Sequence, residues 1–317
     1  MKKAVLINID FYDYNNEVIA SLEKKGYEVM YFSYKPTVSS IQKFRFKFSK
    51  RYQRKLIKKT VDSICEKIAN EQIDLFLFIN PTTFYKEDVE RIFSNQEKAK
   101  KILYLWDSVR TYPIVKTIFD LFADIYSFDI VDCKTFGFKY RPTFASKELF
   151  ELDLKSDKPE YDIFYVASYS KARYFDLLKM KQICDDNNLV FKHHLFIKNK
   201  LAYLFFKFRN PKLKKRYVSL TLLGNKEKAE ILTKTRAIFD TPLATQTGLT
   251  MRVIEGMILN KKIISTNNHL VDFDFYNEND FIIFDANLDI SKLNTPCSYK
   301  IDKSYYSADS LVEELIR

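Results

Sequence analysis

Glycine occurs only five times in 317 residues, histidine three times and tryptophan once. Cysteine is as sparse. Cys65, Cys133, Cys184 and Cys297 lie far apart with no CxxC spacing, which excludes a disulfide framework or a thiolate zinc site. They read as buried thiols in a reducing compartment. No stretch approaches the ~20 apolar residues that cross a bilayer. The opening "MKKAVLINID" carries a basic pair, but Asn8 and Asp10 break its apolar run. It reads as a first strand rather than a signal peptide, and the expected location is the cytoplasm. Acid is also missing locally. Residues 41–59 and 192–217 each hold nine Lys or Arg and no Asp or Glu, within a chain of net charge +11.

What is present describes a folded protein. The 46% hydrophobic and 29% charged composition excludes a disordered chain. The length suits two domains of roughly 150 residues each. "AVLINI" (4–9) is a short apolar run of the buried parallel-strand kind, followed by a polar turn and the helical "EVIASLEKKG", stopped by Gly26. "YEVMYFS" is a second strand, completing a βαβ unit. Strands at 73–80, 100–108 and 123–129 follow, with a helix at "KEDVERIF". Around 145–160 the pattern lapses into "ASKELFELDLKSDKPE", which sets the expected boundary between domains 1–155 and 156–317.

The alternation then restarts. "YDIFYVAS", "LVFKHHLFI", "RAIFDT", "KKIIST" and "DFIIFD" read as strands, with helices at 171–188, 225–235 and 248–260 and a closing helix at "SADSLVEELIR". Strands alternating with helices call for parallel, doubly wound sheets, so the expected fold is α/β, with two tandem Rossmann-like domains and a cleft between them.

In the two basic segments aromatics interleave with the cations. That pattern suits an anionic lipid surface, where each Lys or Arg near the headgroups is worth about 1 kcal/mol. Nucleic acid would attract the same charge, but no nucleic-acid motif accompanies it. A solvated, lysine-rich helix face is the plain alternative. The expected partner is the inner face of a membrane, without nucleic acid.

The most informative stretch is "IFDTPLATQTGLTMRVIEG" (238–256). In a doubly wound domain, ligands bind beyond the carboxyl ends of the strands, where loops lead into helix N-termini. Here a strand ends, a polar loop crosses, and Gly248 lets the backbone approach a ligand before a helix starts near Leu249. Free N–H groups at that start would face a diphosphate, with Arg252 adding a cation and Glu255 accepting the hydroxyls of a ribose. An ordinary crossover with an Arg252–Glu255 salt pair is the competing reading.

This stretch resembles the donor half of GT-B glycosyltransferases. Gln246, Gly248, Leu249, Thr250, Arg252 and Glu255 match a "QxGLTxRxxE" core seen in bacterial capsule, exopolysaccharide and lipopolysaccharide enzymes, and "NKKIISTN" (260–267) matches the strand after it. "YDIFYVASYSKARYFDLL" (161–178) is similar to the opening of such a second domain, with Ser168 and Tyr169 in the loop and Arg173 entering the helix. The chain departs from the retaining type with two glutamates eight positions apart, because Thr247 stands where the first would be.

The resemblance implies a nucleotide-sugar donor bound by Ser168, Tyr169, Arg173, Gln246, Thr247, Gly248, Leu249, Thr250, Arg252 and Glu255. The acceptor would be lipid-linked or an oligosaccharide, with no cofactor or metal. An acceptor base would come from Asp10 or Asp13 after the first strand, or from Asp107 in "LWDS". Asp10 or Asp13 would equally serve as a helix cap. The "DFD" at 272–274 follows the donor helix instead of an early strand, so it is discounted as a metal motif. His193 and His194 would face anionic partners, and His269 would sit in a surface loop. A sugar-nucleotide epimerase of the same fold, or a non-catalytic module binding anionic lipid or nucleic acid, are the alternatives.

Overall fold

The computed structural model describes residues 1–9, 14–38, 42, 46, 49–152, 159–285 and 288–317. The chain divides into two compact units, Met1–Thr143 with Ser307–Arg317, and Phe144–Tyr306. The polar stretch near 155 is therefore not where the contacts change. Ala145 and Leu149 are buried in the core of the second unit, and the Ala145 N–H bonds the Tyr306 carbonyl at 2.9 Å.

The first unit holds strands β1 (Lys2–Asn8), β2 (Tyr27–Ser33), β3 (Leu75–Ile79), β4 (Lys100–Leu105), β5 (Asp124–Ser127) and β6 (Lys139–Tyr140). They form one sheet of order β2-β1-β3-β4-β5-β6, and every pairing is parallel. All five residues of β3 are buried, as a sheet covered on both faces requires. Helices α1 (Tyr14–Lys24), α2 (Lys50–Ile68), α3 (Lys86–Phe93) and α4 (Ile130–Phe136) belong to this unit. Ile57, Val61, Ile64 and Ile68 of α2 recur at helical spacing and form one buried stripe. Its cations Lys50, Arg51, Lys55, Lys58 and Lys59 are exposed. The rest of the first basic segment lies largely outside the described residues. Gly137, at φ 73°, closes α4 with the left-handed turn that glycine adopts without strain.

The second unit pairs β7 (Tyr161–Ser168), β8 (Phe191–Phe196), β9 (Thr235–Asp240), β10 (Lys262–Ser265) and β11 (Phe281–Ile283) in the order β11-β10-β9-β7-β8. These pairings too are parallel. Helices α5 (Lys171–Asp186), α6 (Lys200–Arg209), α7 (Asn225–Thr233) and α8 (Met251–Ile258) connect the strands. Alternate strand residues feed two cores. Phe164, Ile238, Ile263 and Phe281 meet Ala229, Leu232, Val253 and Met257 on one side. Ile163, Tyr165, Phe239 and Ile264 meet Tyr174, Leu177 and Met180 on the other. The architecture is α/β with two parallel sheets, as the sequence predicts.

Helix α9 (Ala308–Ile316) closes the first unit and not the second. Its buried face is Ala308, Leu311, Val312 and Leu315. Ser21 and Lys24 of α1 bond Asp309, and Lys25 pairs with Glu313 at 2.9 Å.

Candidate functional site

Each sheet has one place where the strand order reverses, which opens a crevice at the carboxyl ends. In the second unit it lies between β7 and β9. β7 ends at Ser168; Tyr169 and Ser170 follow, and Ser170 caps the start of α5 by accepting from the Arg173 N–H at 3.2 Å. β9 ends at Asp240, and Thr241 opens the loop that leads to Thr250. Thr250 caps α8, accepting from the Val253 N–H at 3.3 Å. The helix therefore begins at Met251, two residues later than the sequence suggests.

Two guanidinium groups converge here. Arg252 donates through Nε to Asp240 Oδ1 at 2.8 Å and through Nη2 to the Thr241 carbonyl at 3.4 Å. Arg173 donates to the same Thr241 carbonyl at 2.9 Å and to the Ser168 carbonyl at 3.3 Å. Burial, and then the nearby Arg252, pull the Arg173 group down to about 10, which leaves it charged at neutral pH. Its bonds run to neutral carbonyls. The charge at this edge is thus two cations with Asp240 as the bonded carboxylate and Asp176 close enough to act on Arg173, next to the first turns of two helices. Cations beside helix N-termini are groups that can attract an anion.

Asp240 organises the rest. It is fully buried, and it also accepts from Thr250 Oγ1 at 2.8 Å and Ser265 Oγ at 2.9 Å. One carboxylate therefore fixes the helix cap, the cation and the end of β10. Asn267 braces the loop by donating to the carbonyls of Thr247 and Gly248 at 3.2 and 3.4 Å. Leu249 turns into the core and pins the loop from below. The Gln246 side chain accepts from the Leu243 N–H at 3.4 Å, within the same loop. Tyr165, whose hydroxyl burial pushes up to about 12, bonds Thr241 at 2.8 Å beneath the edge. Tyr169 packs against Phe206 with ring centres 4.7 Å apart and planes tilted by 40°.

Glu255 is almost fully buried, and Lys228 of α7 reaches its carboxylate at 2.5 Å. Arg252 and Glu255 therefore serve different partners, and the salt pair expected of an ordinary crossover does not form. Sequence reading missed Lys228, Asp240, Thr241 and Asn267. Asp240 was visible only as the acid that ends the apolar "AIFD"; Lys228 stands in "NKEK", 27 positions before Glu255, with no local pattern to link them.

In the first unit, Asp10 and Asp13 lie outside the described residues. Asp107 follows β4 and accepts from Asn80 Nδ2 at 2.8 Å. Asn80 directly follows β3 and lies in the left-handed region, at φ 48°. At the reversal point between β1 and β3, buried Asn8 donates to Asn15 at 2.6 Å. His269 is a surface residue bonded to Asp272 at 2.9 Å, and His194 bonds the Thr221 carbonyl at 2.9 Å. Burial lowers His193.

No protein-family model matches the chain, and no curated protein matches it in sequence. Solved structures do match in fold. The lipopolysaccharide outer core galactosyltransferase WaaB, in apo form, superposes with a TM-score of 0.55 at 11% identity, over 99% of this chain and 95% of that one. The catalytic domain of starch synthase IV from Arabidopsis thaliana, bound to ADP and acarbose, gives 0.58 at 9% identity, over 99% and 98%. UDP-GlcNAc 2-epimerase from Neisseria meningitidis, bound to UDP-GlcNAc, gives 0.55 at 9% identity, over 100% and 99%. The fold is thus that of the two-domain GT-B proteins.

Proposed function

We propose that the protein is a glycosyltransferase that moves a sugar from a nucleotide-sugar donor to a lipid-linked or oligosaccharide acceptor in bacterial surface-polysaccharide synthesis. The observation that carries the reading is the pair Arg173 and Arg252, held at the strand-order reversal of the second unit beside two helix starts. The donor diphosphate would lie against these cations and the α8 N-terminus, with Ser168, Tyr169, Gln246, Thr247, Gly248 and Thr250 around it. As the glycosidic bond breaks, negative charge grows on the leaving diphosphate, and fixed cations stabilise it without reorganising. The leaving group would need no metal in this scheme. Glu255 would accept the ribose hydroxyls while Lys228 keeps its carboxylate oriented. Asp107 is the described candidate for the acceptor base, with Asp10 and Asp13 as the alternatives. The membrane face would meet the basic segments 41–59 and 192–217, with the protein cytoplasmic and peripheral.

An epimerase is the second reading, favoured by the likeness to the Neisseria enzyme. The first test is thermal unfolding with UDP, GDP, CMP and dTDP in turn. A ligand at a hundredfold its dissociation constant stabilises the folded state by about 2.7 kcal/mol. One nucleotide should raise the midpoint, and Arg173→Ala should abolish the rise while lowering the ligand-free midpoint only by the few degrees that about 1 kcal/mol represents. No rise with any of the four would defeat both enzyme readings. Incubating the matching sugar nucleotide without acceptor separates them, since an epimerase alone would isomerise it.

A further inference from the structure

Helix α6 lies inside the second basic segment, and it presents two unlike faces. Successive helical residues turn by about 100°. Leu201, Leu204, Phe205 and Phe208 consequently share an arc of about 100°, and their exposures are 78%, 60%, 50% and 86%. Ala202, Tyr203 and Phe206 occupy the other side and pack against the core of the second unit. Four large apolar side chains in one exposed row are far more than scattered surface leucines. No residue of α6 is buried, so the helix sits on the unit as a rail rather than as part of its interior.

Cations frame the row. Lys200 and Lys207 fall along one flank, and Arg209 along the other, where its guanidinium lies 5.6 Å from the Phe205 ring centre. Lys198, Lys212, Lys214, Lys215 and Arg216 continue the charge, and no acid occurs from residue 187 to residue 226. A second copy of the chain seated on this row would oppose one cationic frame to another, since the same patch meets itself in a two-fold contact. An anionic bilayer satisfies both parts at once, with acyl chains for the row and phosphates for the frame. Ten residues reach about 15 Å, half of a hydrocarbon core, so the helix would lie in the membrane plane and not cross it.

We infer that α6 is a membrane-insertion element whose Leu201–Leu204–Phe205–Phe208 row enters the headgroup boundary of an anionic bilayer. This deepens the membrane partner of the proposed transferase and rests on that reading. It goes beyond charge attraction, because the apolar row should contribute binding that salt does not remove.

The test is co-sedimentation of the full chain with phosphatidylcholine vesicles, with and without phosphatidylglycerol, at low and high salt. Wild type should bind the phosphatidylglycerol vesicles and retain part of that binding at high salt. Leu204→Asn with Phe208→Asn, both exposed and harmless to the core, should weaken binding at least tenfold and remove the salt-resistant part. Phe208→Trp should show blue-shifted emission on vesicles, quenched by brominated acyl chains. Unchanged binding by the double variant would overturn the inference. So would light scattering that shows a wild-type dimer reduced to a monomer by the same substitutions, which would make the row a contact between copies. The nucleotide-dependent stabilisation of the double variant separates the two readings. If it survives while wild type fails to bind vesicles, the membrane element alone falls. If insertion is seen and no nucleotide stabilises the protein, the transferase reading alone falls.

Discussion

Asp240 and Arg173 face the same crevice and should behave as opposites when removed. Asp240→Ala would strip the acceptor from Arg252, Thr250 and Ser265 in a buried site. Breaking a buried ion pair from one side costs about 3–5 kcal/mol, so urea unfolding should show a loss of that size. Arg173 spends its hydrogen bonds on two carbonyls, and its removal should cost about 1 kcal/mol while erasing anion binding. A second buried carboxylate sets a pH dependence. Burial alone would raise Asp280, but Lys262, Ser298 and Asn277 bond it and together hold it well below the carboxylate range. A depressed folded-state pKa adds stability that is present above the unfolded value of about 3.9 and is lost as pH falls through the folded one. Stability followed from neutral pH to below that value should therefore fall more steeply in wild type than in Asp280→Asn. A parallel fall in both would remove Asp280 as a cause. At this scale the sequence shows which charged residues stand near a motif, but not which partners they take. Glu255 was read as facing a ligand, and the partner it takes in the fold is Lys228 from another helix.

Among the elements, α8 shows how tightly the site is seated. A Cβ on Gly256 would lie 2.3 Å from Cδ1 of Ile263 and 2.9 Å from Cδ1 of Ile238, so an added methyl would have to push these two side-chain ends aside. Gly256→Ala gains about 1 kcal/mol of helix propensity but overpacks by about 1–3 kcal/mol. A net loss near 1 kcal/mol is expected. Ile263→Val removes the closer methyl and should restore part of that loss in the double variant; additive losses in chemical denaturation would refute the contact. Strands such as β3, β7 and β9 were legible because a strand buried on both faces is a continuous apolar run bounded by turns. Helix α3 was legible from its acidic first turn and apolar spacing. Helix α6 was not assigned, because "KLAYLFFKFR" reads as cations mixed with aromatics until the fold shows which side meets the core. The short α4 lacks the length to display a period.

For the whole molecule, two parallel sheets could be read from the alternation of strands and helices, whereas the ownership of the last helix could not. "SADSLVEELIR" follows the second sheet in sequence, and only tertiary packing assigns it to α1 and to Arg141. That arginine is fully buried and pairs with Glu314 at 3.0 Å. Deleting residues 307–317 should therefore strip the first unit and not the neighbouring one. Hydrogen exchange should speed up in α1 and β4 while β7 and β9 keep their protection. Loss of protection in β7 instead would contradict the division. The second unit is in effect an insertion, entered at Phe144 and left at Tyr306. On a ribosome the consequence is an inverted order of completion. The segment made first must wait, with the α1 face uncovered, until α9 has been made, while the unit made second has all of its strands and helices in hand before that. A chain stalled before α9 is made would carry a finished second unit and an unfinished first one.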